Sequence, residues 1–214
     1  MNDFIEKIKG VLLEPLPGAV VQGAMLPGGR KRTLPSKLVL QNARKAGVCI
    51  VLYQRAGEWH TILIKRTTYE GVHSGQIALP GGTYEEVDTD LIATAVRETE
   101  EEVGIAQNDL EVLGQLSSIY IPPSKMYVEP TVALLKKPTI YKRQEFEVAE
   151  IIEVPIDRFL EPGVRKTITI EVAYGTMPNT PYFDIKGEIV WGATASIMNE
   201  FAWVLRQLKN KKAV

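Results

Sequence analysis

Residues 97–105 combine a dense group of acidic side chains with helical spacing. Four glutamates fall within the five positions from Glu98 to Glu102, and Gly104 follows them. Like charges three and four residues apart repel each other on a helix and weaken it. At about 100° per residue, Glu98 and Glu102 lie about 40° apart, and Glu101 lies about 60° to the other side of Glu98. The spacing predicts a helix that presents three carboxylates to a neighbouring cleft.

The same helix has an apolar side and recognisable ends. Its apolar stripe, about 100° to 160° from Glu98, consists of Ile92, Val96, Thr99 and Val103. Gly104 suits the position just after a helix. The candidates for the N-cap are Asp88, Thr89 and Asp90.

Two interpretations of the carboxylates stay open on this evidence. Oxygen-rich sites suit Mg²⁺ or Mn²⁺, and such ions commonly serve phosphate chemistry. A run of charges can equally be the solvated face of a surface helix. The first interpretation requires a ligand to approach the helix closely.

The residues before the helix favour that approach. Leu79-Pro80-Gly81-Gly82 leads into a loop over residues 83–90, and glycines let a ligand come near the backbone. Together with Arg97-Glu98 and Glu101-Glu102-Val103-Gly104-Ile105, this sequence resembles the Nudix box, Gly-x5-Glu-x7-Arg-Glu-U-x-Glu-Glu-x-Gly-U, where U is apolar. The interval from Gly82 to Arg97 is one residue longer than that form, and strict spacing places Thr83 and Thr89 at its first glycine and glutamate.

The longer interval is similar to that of the coenzyme A pyrophosphatase subgroup of the Nudix family. The subgroup pattern is roughly Gly-Gly-x-x-Asp-x-x-Asp-x5-Thr-Ala-x-Arg-Glu, and this chain departs from it only at Glu85. Upstream, Thr67 stands where the subgroup has serine, Leu79 where it has phenylalanine, and Gly71 where a basic residue is common. The sequence Trp191-Gly192-Ala193-Thr194-Ala195 also resembles the subgroup's closing segment.

The resemblance implies a fold, a reaction and a set of site residues. The fold is an α/β/α sandwich with a mixed β-sheet. The reaction is metal-dependent cleavage of the diphosphate bond of coenzyme A or its thioesters, giving phosphopantetheine and 3′,5′-ADP. The alternatives are another nucleoside diphosphate derivative, such as ADP-ribose or NADH, and a ligand-binding regulator without turnover. All three glutamates are present, which favours turnover.

The expected site residues fall into three groups. The expected ligands of Mg²⁺ or Mn²⁺ are Glu98, Glu102 and Glu101. The expected catalytic residues are Glu101, Glu98 and Arg97. Glu101 is either a further ligand or the general base, and Arg97 either orients a glutamate, which is favoured, or contacts the substrate. The expected substrate contacts are Arg66, Gly81, Gly82 and His73. Glu85 and Asp88 are either outer ligands or, for Asp88, a helix cap.

Hydrophobic patterning divides the chain into two parts. Residues 1–42 are predicted to form an N-terminal helix at 2–13 and an irregular extension, and residues 43–214 the Nudix domain, with its box at about 82–105. A hairpin is predicted from strands 46–54 and 59–65, and a closing helix at 193–209. Further strands are predicted near 111–120, 126–135, 148–154, 165–174 and 182–191.

Charge and composition restrict the partners. The net charge of −1 gives no field that would steer the chain to nucleic acid or an anionic membrane. The single cysteine, Cys49, lies in an apolar run and is predicted to be a buried strand residue. One cysteine, no signal peptide and no membrane-spanning apolar run favour a cytoplasmic protein that acts on a small molecule. A homodimer is compatible with these features.

Overall fold

A computed structural model of the chain describes residues 2–29, 35–68, 74–172 and 175–210. Gly71 and the predicted substrate contact His73 lie outside these ranges. Within the ranges the helices are α1 (Asn2–Leu12), α2 (Ala19–Gln22), α3 (Lys37–Gln41), α4 (Leu91–Val103) and α5 (Gly192–Asn210). The helices predicted at 2–13 and 193–209 are therefore confirmed. None of the helices in the described part of the chain is both long and apolar enough to cross a membrane.

The strands of the described residues form two sheets. They are β1 (Arg44–Arg55), β2 (Glu58–Arg66), β3 (Ile77–Ala78), β4 (Gly81–Thr83), β5 (Leu110–Gln115), β6 (Ile119–Ile121), β7 (Met126–Leu135), β8 (Val148–Pro155), β9 (Arg165–Val172), β10 (Gly175–Ile185) and β11 (Glu188–Trp191). The larger sheet runs β3-β2-β1-β7-β5, with β4 paired to β1, β6 to β7 and β8 to β2. It is mixed, because β1 and β7 are parallel while the other pairs are antiparallel.

The larger sheet lies between two helical layers. Strand β1 is buried on both faces, as its apolar run requires. Alternate residues point to opposite faces, so Ile50 packs in the core that contains α1 and α5, and Val51 packs in the core that contains α4. The expected α/β/α sandwich is confirmed by this layering.

Cys49 lies on the α4 side of the sheet and is fully buried. Burial raises the pKa of its thiol to about 12, because the thiolate would lose its hydration. The prediction of a buried strand residue is confirmed. The same burial makes Cys49 a poor nucleophile.

The strand predicted at 182–191 is wrong as a single element. The chain turns at Lys186 and Gly187, both with positive φ, and Ile185 pairs with Glu188 across the turn. Asp184 Oδ1 accepts a hydrogen bond from the Gly187 N–H at 3.1 Å. Positive φ at both central residues suits the twist of a two-residue hairpin. Strands β9, β10 and β11 consequently form a separate three-stranded sheet.

The N-terminal segment shares the core of the larger sheet. Ile5 and Ile8 of α1 belong to the cluster that contains α5. The buried carboxylate of Glu200 accepts hydrogen bonds from the N–H groups of Gly18 (2.8 Å) and Ser117 (3.1 Å) and from Gln22 Nε2 (3.0 Å). A buried carboxylate needs such donors, because its hydration is lost. The division at residue 42 stays a prediction.

Replacing Gly47 by alanine is expected to destabilise the fold by about 3 kcal/mol, the upper end for overpacking. A Cβ on Gly47 would lie 2.2 Å from the carbonyl oxygen of Leu91 and 2.7 Å from the backbone nitrogen of Ala95. Both are backbone atoms of α4, so the helix would have to move away from β1. Urea unfolding measures the change. Gly10→Ala is the control, because the added Cβ meets nothing within 4 Å and alanine favours the helix. Equal stabilities of the two variants would contradict the close contact of α4 with β1.

Candidate active site

Helix α4 begins and ends at polar signals in the sequence. Asp90 is the N-cap, and its Oδ1 accepts a hydrogen bond from the Ala93 N–H at 2.8 Å. Gly104 adopts a left-handed conformation with φ of 75°, and its N–H donates to the Glu100 carbonyl at 2.9 Å. The prediction that Gly104 ends the helix is confirmed, and of the three cap candidates the structure selects Asp90.

The buried face of α4 is rotated from the predicted apolar stripe. Ile92 and Val96 are only half-buried. The buried residues are Leu91, Thr94, Ala95, Thr99, Glu102 and Val103. The contact with Gly47 of β1 explains the rotation, because a glycine there admits the helix backbone beside Ala95. As a result, Glu102 turns into the protein, and Glu98 lies at its edge.

Strand β4 carries the Gly-Gly pair directly beside these two carboxylates. The Gly81 N–H donates a hydrogen bond to Glu102 Oε2 at 2.8 Å. A Cβ on Gly82 would lie 2.4 Å from the carboxyl carbon of Glu98. The missing side chains therefore make room for the carboxylates in this structure.

Arg97 connects α4 to the loop before it. Its guanidinium donates to both oxygens of Asp88, from Nε to Oδ1 at 2.9 Å and from Nη2 to Oδ2 at 3.0 Å. Its Nη1 lies 3.0 Å from Glu98 Oε1 and 3.1 Å from Glu101 Oε2. A further bond from Nη2 reaches the carbonyl of Thr83 at 3.1 Å. One cation thus fixes the loop and two of the predicted site glutamates.

Asp88 is buried, and both of its carboxylate oxygens accept hydrogen bonds. Besides Arg97, it accepts hydrogen bonds from the Glu85 N–H at 3.0 Å and from Thr94 Oγ1 at 2.9 Å. The Arg97 guanidinium, supported by these donors, lowers the pKa of the Asp88 carboxyl to about 2. Asp88 is therefore neither the cap of α4 nor a carboxylate with free oxygens. Glu85 is exposed, and its carboxylate lies 4.0 Å from Arg97.

The buried Glu102 and the partly buried Glu98 resist ionisation. Burial raises the pKa of Glu102 to about 8, although the Gly81 N–H and the Arg66 guanidinium lower it, and the charges of Glu98 and Glu147 raise it further. Burial also raises the pKa of Glu98, and nearby Arg97 opposes that change. Arg66 Nη1 is 3.5 Å from Glu102 Oε1, and Arg66 Nε is buried without a hydrogen-bond partner among the described residues. Arg66 therefore neutralises the Glu102 carboxylate only in part.

Glu147 is a functional candidate that sequence reasoning missed. It lies just before β8, and its charge acts on both Glu98 and Glu102. Its position is fixed by the backbone, because its carbonyl accepts a hydrogen bond from the Thr67 N–H at 2.9 Å. No local motif marks Glu147, which comes to α4 through the pairing of β2 with β8 and through the hydrogen bond from the Gln144 N–H to the Glu102 carbonyl.

The structure brings together most of the predicted site residues. Glu98, Glu102, Gly81, Gly82 and Arg66 surround one region, and Arg97 stands behind it. The Glu101 side chain is 54% exposed and turns toward Arg97. Among the described residues, no three acidic, histidine or cysteine side chains converge as a preformed metal site.

The donor set nevertheless suits a hard divalent cation. The Glu102 side chain is only 2% exposed and that of Glu98 12%, and among the described residues the cations paired with them are Arg66 and Arg97. Two carboxylates whose pKa values are raised by burial gain stability from a cation that binds their ionised forms. Carboxylate oxygens are the ligands that Mg²⁺ and Mn²⁺ prefer. Glu98 and Glu102 therefore fit such an ion, with Glu101 and Glu147 close by.

Comparison with known proteins gives the family. The model of the NUDIX domain matches residues 43–168, which is more than half of the chain. The chain belongs to the Nudix family. It is 31% identical over 168 residues to the uncharacterized Nudix hydrolase NudL of Photorhabdus laumondii, covering 78% of this chain and 88% of that protein. It is 33% identical over 165 residues to NudL of Escherichia coli O6:H1, covering 75% and 82%.

Solved Nudix structures share the fold. A MutT/nudix family protein from Enterococcus faecalis superposes with a TM-score of 0.53 at 17% identity, covering 82% of this chain and 66% of that one. The MutT protein from Methanosarcina mazei Go1 gives a TM-score of 0.50 at 18% identity, covering 78% and 95%. This Nudix protein is a pyrophosphohydrolase, and Nudix hydrolases generally use divalent metal cations.

Replacing Gly82 by alanine is expected to lower kcat by about tenfold to 100-fold with little change in stability. The new Cβ would overlap the Glu98 carboxylate, which can swing away because it ends a flexible side chain. A misplaced ligand typically costs this much in activity. Steady-state kinetics and thermal unfolding measure the two effects. Gly10→Ala controls for the replacement of a glycine by alanine, since its Cβ would meet nothing within 4 Å and its φ is not positive. Unchanged kcat in Gly82→Ala would contradict a role for Glu98 at this position.

Proposed function

We propose that this Nudix enzyme hydrolyses the diphosphate bond of coenzyme A or its thioesters, giving phosphopantetheine and 3′,5′-ADP. The observation that carries the proposal is the pair of carboxylates, the buried Glu102 and the partly buried Glu98, beside the backbone of Gly81 and Gly82. The subgroup spacing from Gly81 to Ile105 supports coenzyme A as the substrate. ADP-ribose and NADH are the nearest rival substrates.

In this proposal Glu98 and Glu102 hold Mg²⁺ or Mn²⁺, with Glu101 as a further ligand or as the base. When bound, the ion supplies positive charge that offsets the negative oxygens of the diphosphate in the transition state. Arg97 orients Glu98 and Glu101 through its contacts with both carboxylates. The arginine is itself held by Asp88, so this orientation is fixed before substrate arrives.

Arg66, Gly81 and Gly82 form the substrate side of the proposed site. Arg66 neutralises part of the Glu102 charge in the structure described here, at 3.5 Å. With Glu102 engaged as a metal ligand, Arg66 would be available to meet a phosphate oxygen. The absence of a side chain at Gly82 makes room for the Glu98 carboxylate, beside which the diphosphate would lie. His73 remains a proposed contact.

The chemistry needs a group that removes a proton from the attacking water. Water adds to one phosphorus, the bond from that phosphorus to the bridging oxygen breaks, and the departing phosphate keeps the bridging oxygen. Glu101 and Glu147 are both exposed and both lie near the buried pair, so either can reach a water there. Their variants distinguish the two.

Glu101→Gln and Glu147→Gln are expected to differ in turnover. General base catalysis contributes about 100-fold to 10,000-fold, so the variant that removes the base loses that much kcat. The other variant is expected either to bind the metal ion more weakly or to keep nearly all of its activity. Measuring the rate as a function of metal concentration distinguishes these two outcomes. Glu145→Gln is the control, because this exposed neighbour of Glu147 has no contact with α4 described by the structure. Full activity in both variants would remove both residues from the base role.

A substrate panel tests the proposed function. The purified protein is incubated with coenzyme A, an acyl-coenzyme A, ADP-ribose, NADH and nucleoside triphosphates, with Mg²⁺ or Mn²⁺ or with EDTA, and the products are identified by mass spectrometry. The proposal expects 3′,5′-ADP and phosphopantetheine, and no product with EDTA. Cleavage of ADP-ribose alone would overturn the coenzyme A assignment. Absence of any cleavage would favour the ligand-binding regulator.

A further inference from the structure

Phe146 is an exposed aromatic residue beside the proposed site. Its side chain is 90% exposed, although phenylalanine loses about 1.5–3 kcal/mol by remaining in water. It lies at the end of the segment between β7 and β8, next to Glu147. Two residues before Phe146, the Gln144 N–H donates a hydrogen bond to the Glu102 carbonyl at 3.0 Å, so the turn that carries Phe146 lies against α4.

The backbone around Phe146 is fixed by hydrogen bonds on both sides. The Phe146 carbonyl accepts a bond from Thr67 Oγ1 at 2.7 Å, and its N–H donates to Gln144 Oε1 at 2.6 Å. The Gln144 N–H donates in turn to the carbonyl of Glu102 on α4 at 3.0 Å, and the Val148 N–H donates to the Gln144 carbonyl at 2.8 Å. The turn is therefore attached both to the acidic helix and to the end of β2.

An exposed aromatic ring on a backbone held beside a diphosphate site has a clear chemical use. The substrates proposed above carry a planar base separated from the diphosphate by one sugar. A ring face binds a base by stacking, and it needs no hydrogen-bond match because every base has a π-face. Phenylalanine also brings no charge that would disturb the carboxylates or the phosphates.

We propose that Phe146 is a specificity-determining residue that stacks on the base of the nucleoside diphosphate substrate while the diphosphate lies at Glu98 and Glu102. This inference rests on the proposed function and adds that the enzyme recognises its substrate through the base. The ring contributes to binding of the nucleoside end and not to the chemical step. Its removal therefore changes KM more than kcat.

The test compares Phe146→Ala with Ile140→Ala. Ile140 lies on the same segment and is 92% exposed, so it controls for loss of an exposed apolar side chain. With ADP-ribose or coenzyme A as substrate, Phe146→Ala is expected to raise KM about tenfold with kcat within about threefold, and Phe146→Tyr to restore KM. The hydrogen bonds of Phe146 use only its backbone, so the alanine variant keeps them. Ile140→Ala is expected to match the wild type.

A second substrate shows which part of the ligand meets the ring. A ribose–diphosphate–ribose compound without a base is expected to give the same KM with wild type and Phe146→Ala. An equal rise in KM for the substrates with and without a base would overturn the stacking role. An unchanged KM for every substrate would do the same, and so would a loss of oligomeric state on gel filtration, which would make Phe146 a protein contact.

A binding measurement separates this inference from the proposed function. Calorimetry with the α,β-methylene analogue of ADP-ribose, in the presence of Ca²⁺, reports affinity without turnover. If the wild type cleaves nothing but Phe146→Ala weakens this binding about tenfold, the hydrolase proposal fails and the stacking role stands. If the wild type cleaves its substrate and Phe146→Ala binds the analogue as tightly, only the stacking role fails.

Discussion

Glu102→Gln is expected to lower kcat/KM by at least about 100-fold. Glutamine keeps the size of the side chain and can accept the hydrogen bond from the Gly81 N–H, so the structure around it is preserved. It lacks the negative charge that would hold a divalent cation in this buried position. Loss of a metal that offsets transition-state charge costs several kcal/mol, and about 1.4 kcal/mol corresponds to tenfold in rate. Kinetics at saturating Mg²⁺ and Mn²⁺ measure the effect.

Stability is expected to respond to this substitution in the opposite sense. The pKa of Glu102 is raised from 4.5 to about 8 in the folded, metal-free protein. Its contribution to stability is therefore fully present below about pH 4.5 and is lost as pH rises toward 8, where a buried charge forms. Glutamine cannot ionise, so metal-free Glu102→Gln should gain stability relative to the wild type over this interval. Thermal unfolding with EDTA across that pH range measures the difference.

Glu100→Gln is the matched control for both measurements. Glu100 is on the same helix but is exposed, and its carboxylate accepts a hydrogen bond from Gln107. It should keep wild-type kinetics and the wild-type dependence of stability on pH. If Glu102→Gln is as active as Glu100→Gln, Glu102 does not belong to the metal site.

Arg97→Met is expected to destabilise the protein by about 3–5 kcal/mol, the usual cost of leaving a buried charge without its partner. Asp88 is buried and loses both bonds from the guanidinium. Methionine keeps much of the aliphatic length of arginine, so the loss is chiefly electrostatic. Activity should also fall, because Glu98 and Glu101 lose the cation that orients them. Urea unfolding at neutral pH measures the stability.

The dependence on pH identifies Asp88 as the partner. Its pKa in the folded protein is about 2, below the ordinary 3.8, so its contribution to wild-type stability is present above about pH 4 and is lost as pH falls toward 2. The Arg97→Met variant should lack this acid-sensitive contribution to the free energy of unfolding. In the double variant with Asp88→Asn, the cost of Arg97→Met should shrink, because no buried charge is left unpaired. Additive costs of the two substitutions would show that the pair is not coupled.

Local signals in the sequence predicted helix α4 and its surroundings well. Gly104 ended the helix as expected, and the helical angle of about 40° between Glu98 and Glu102 placed both near the Gly-Gly pair. These features depend on residues a few positions apart. The overall sandwich also follows from local patterning, since strands before and after a central helix have few ways to bury their apolar faces.

Features that depend on distant contacts could not be read in this way. The rotation of α4 depends on Gly47, more than forty residues earlier, although a glycine inside an apolar strand was a usable signal of close approach. The choice between a metal ligand and a helix cap for Asp88 could not be made until its partner Arg97 was known. Glu147 reaches the site because β8 pairs with β2 and because the turn before β8 is hydrogen-bonded to α4. The turn at Lys186 was missed because lysine seldom has positive φ.

The hydrogen bond from Gly18 to Glu200 spans 182 residues of sequence. During synthesis, α1 and the following segment are made long before α5. Until α5 is present, their apolar side chains remain exposed to water or bound to a chaperone. Contacts of such separation slow folding and expose intermediates to aggregation. We therefore expect nascent chains of this enzyme to depend on protection until α5 has left the ribosome.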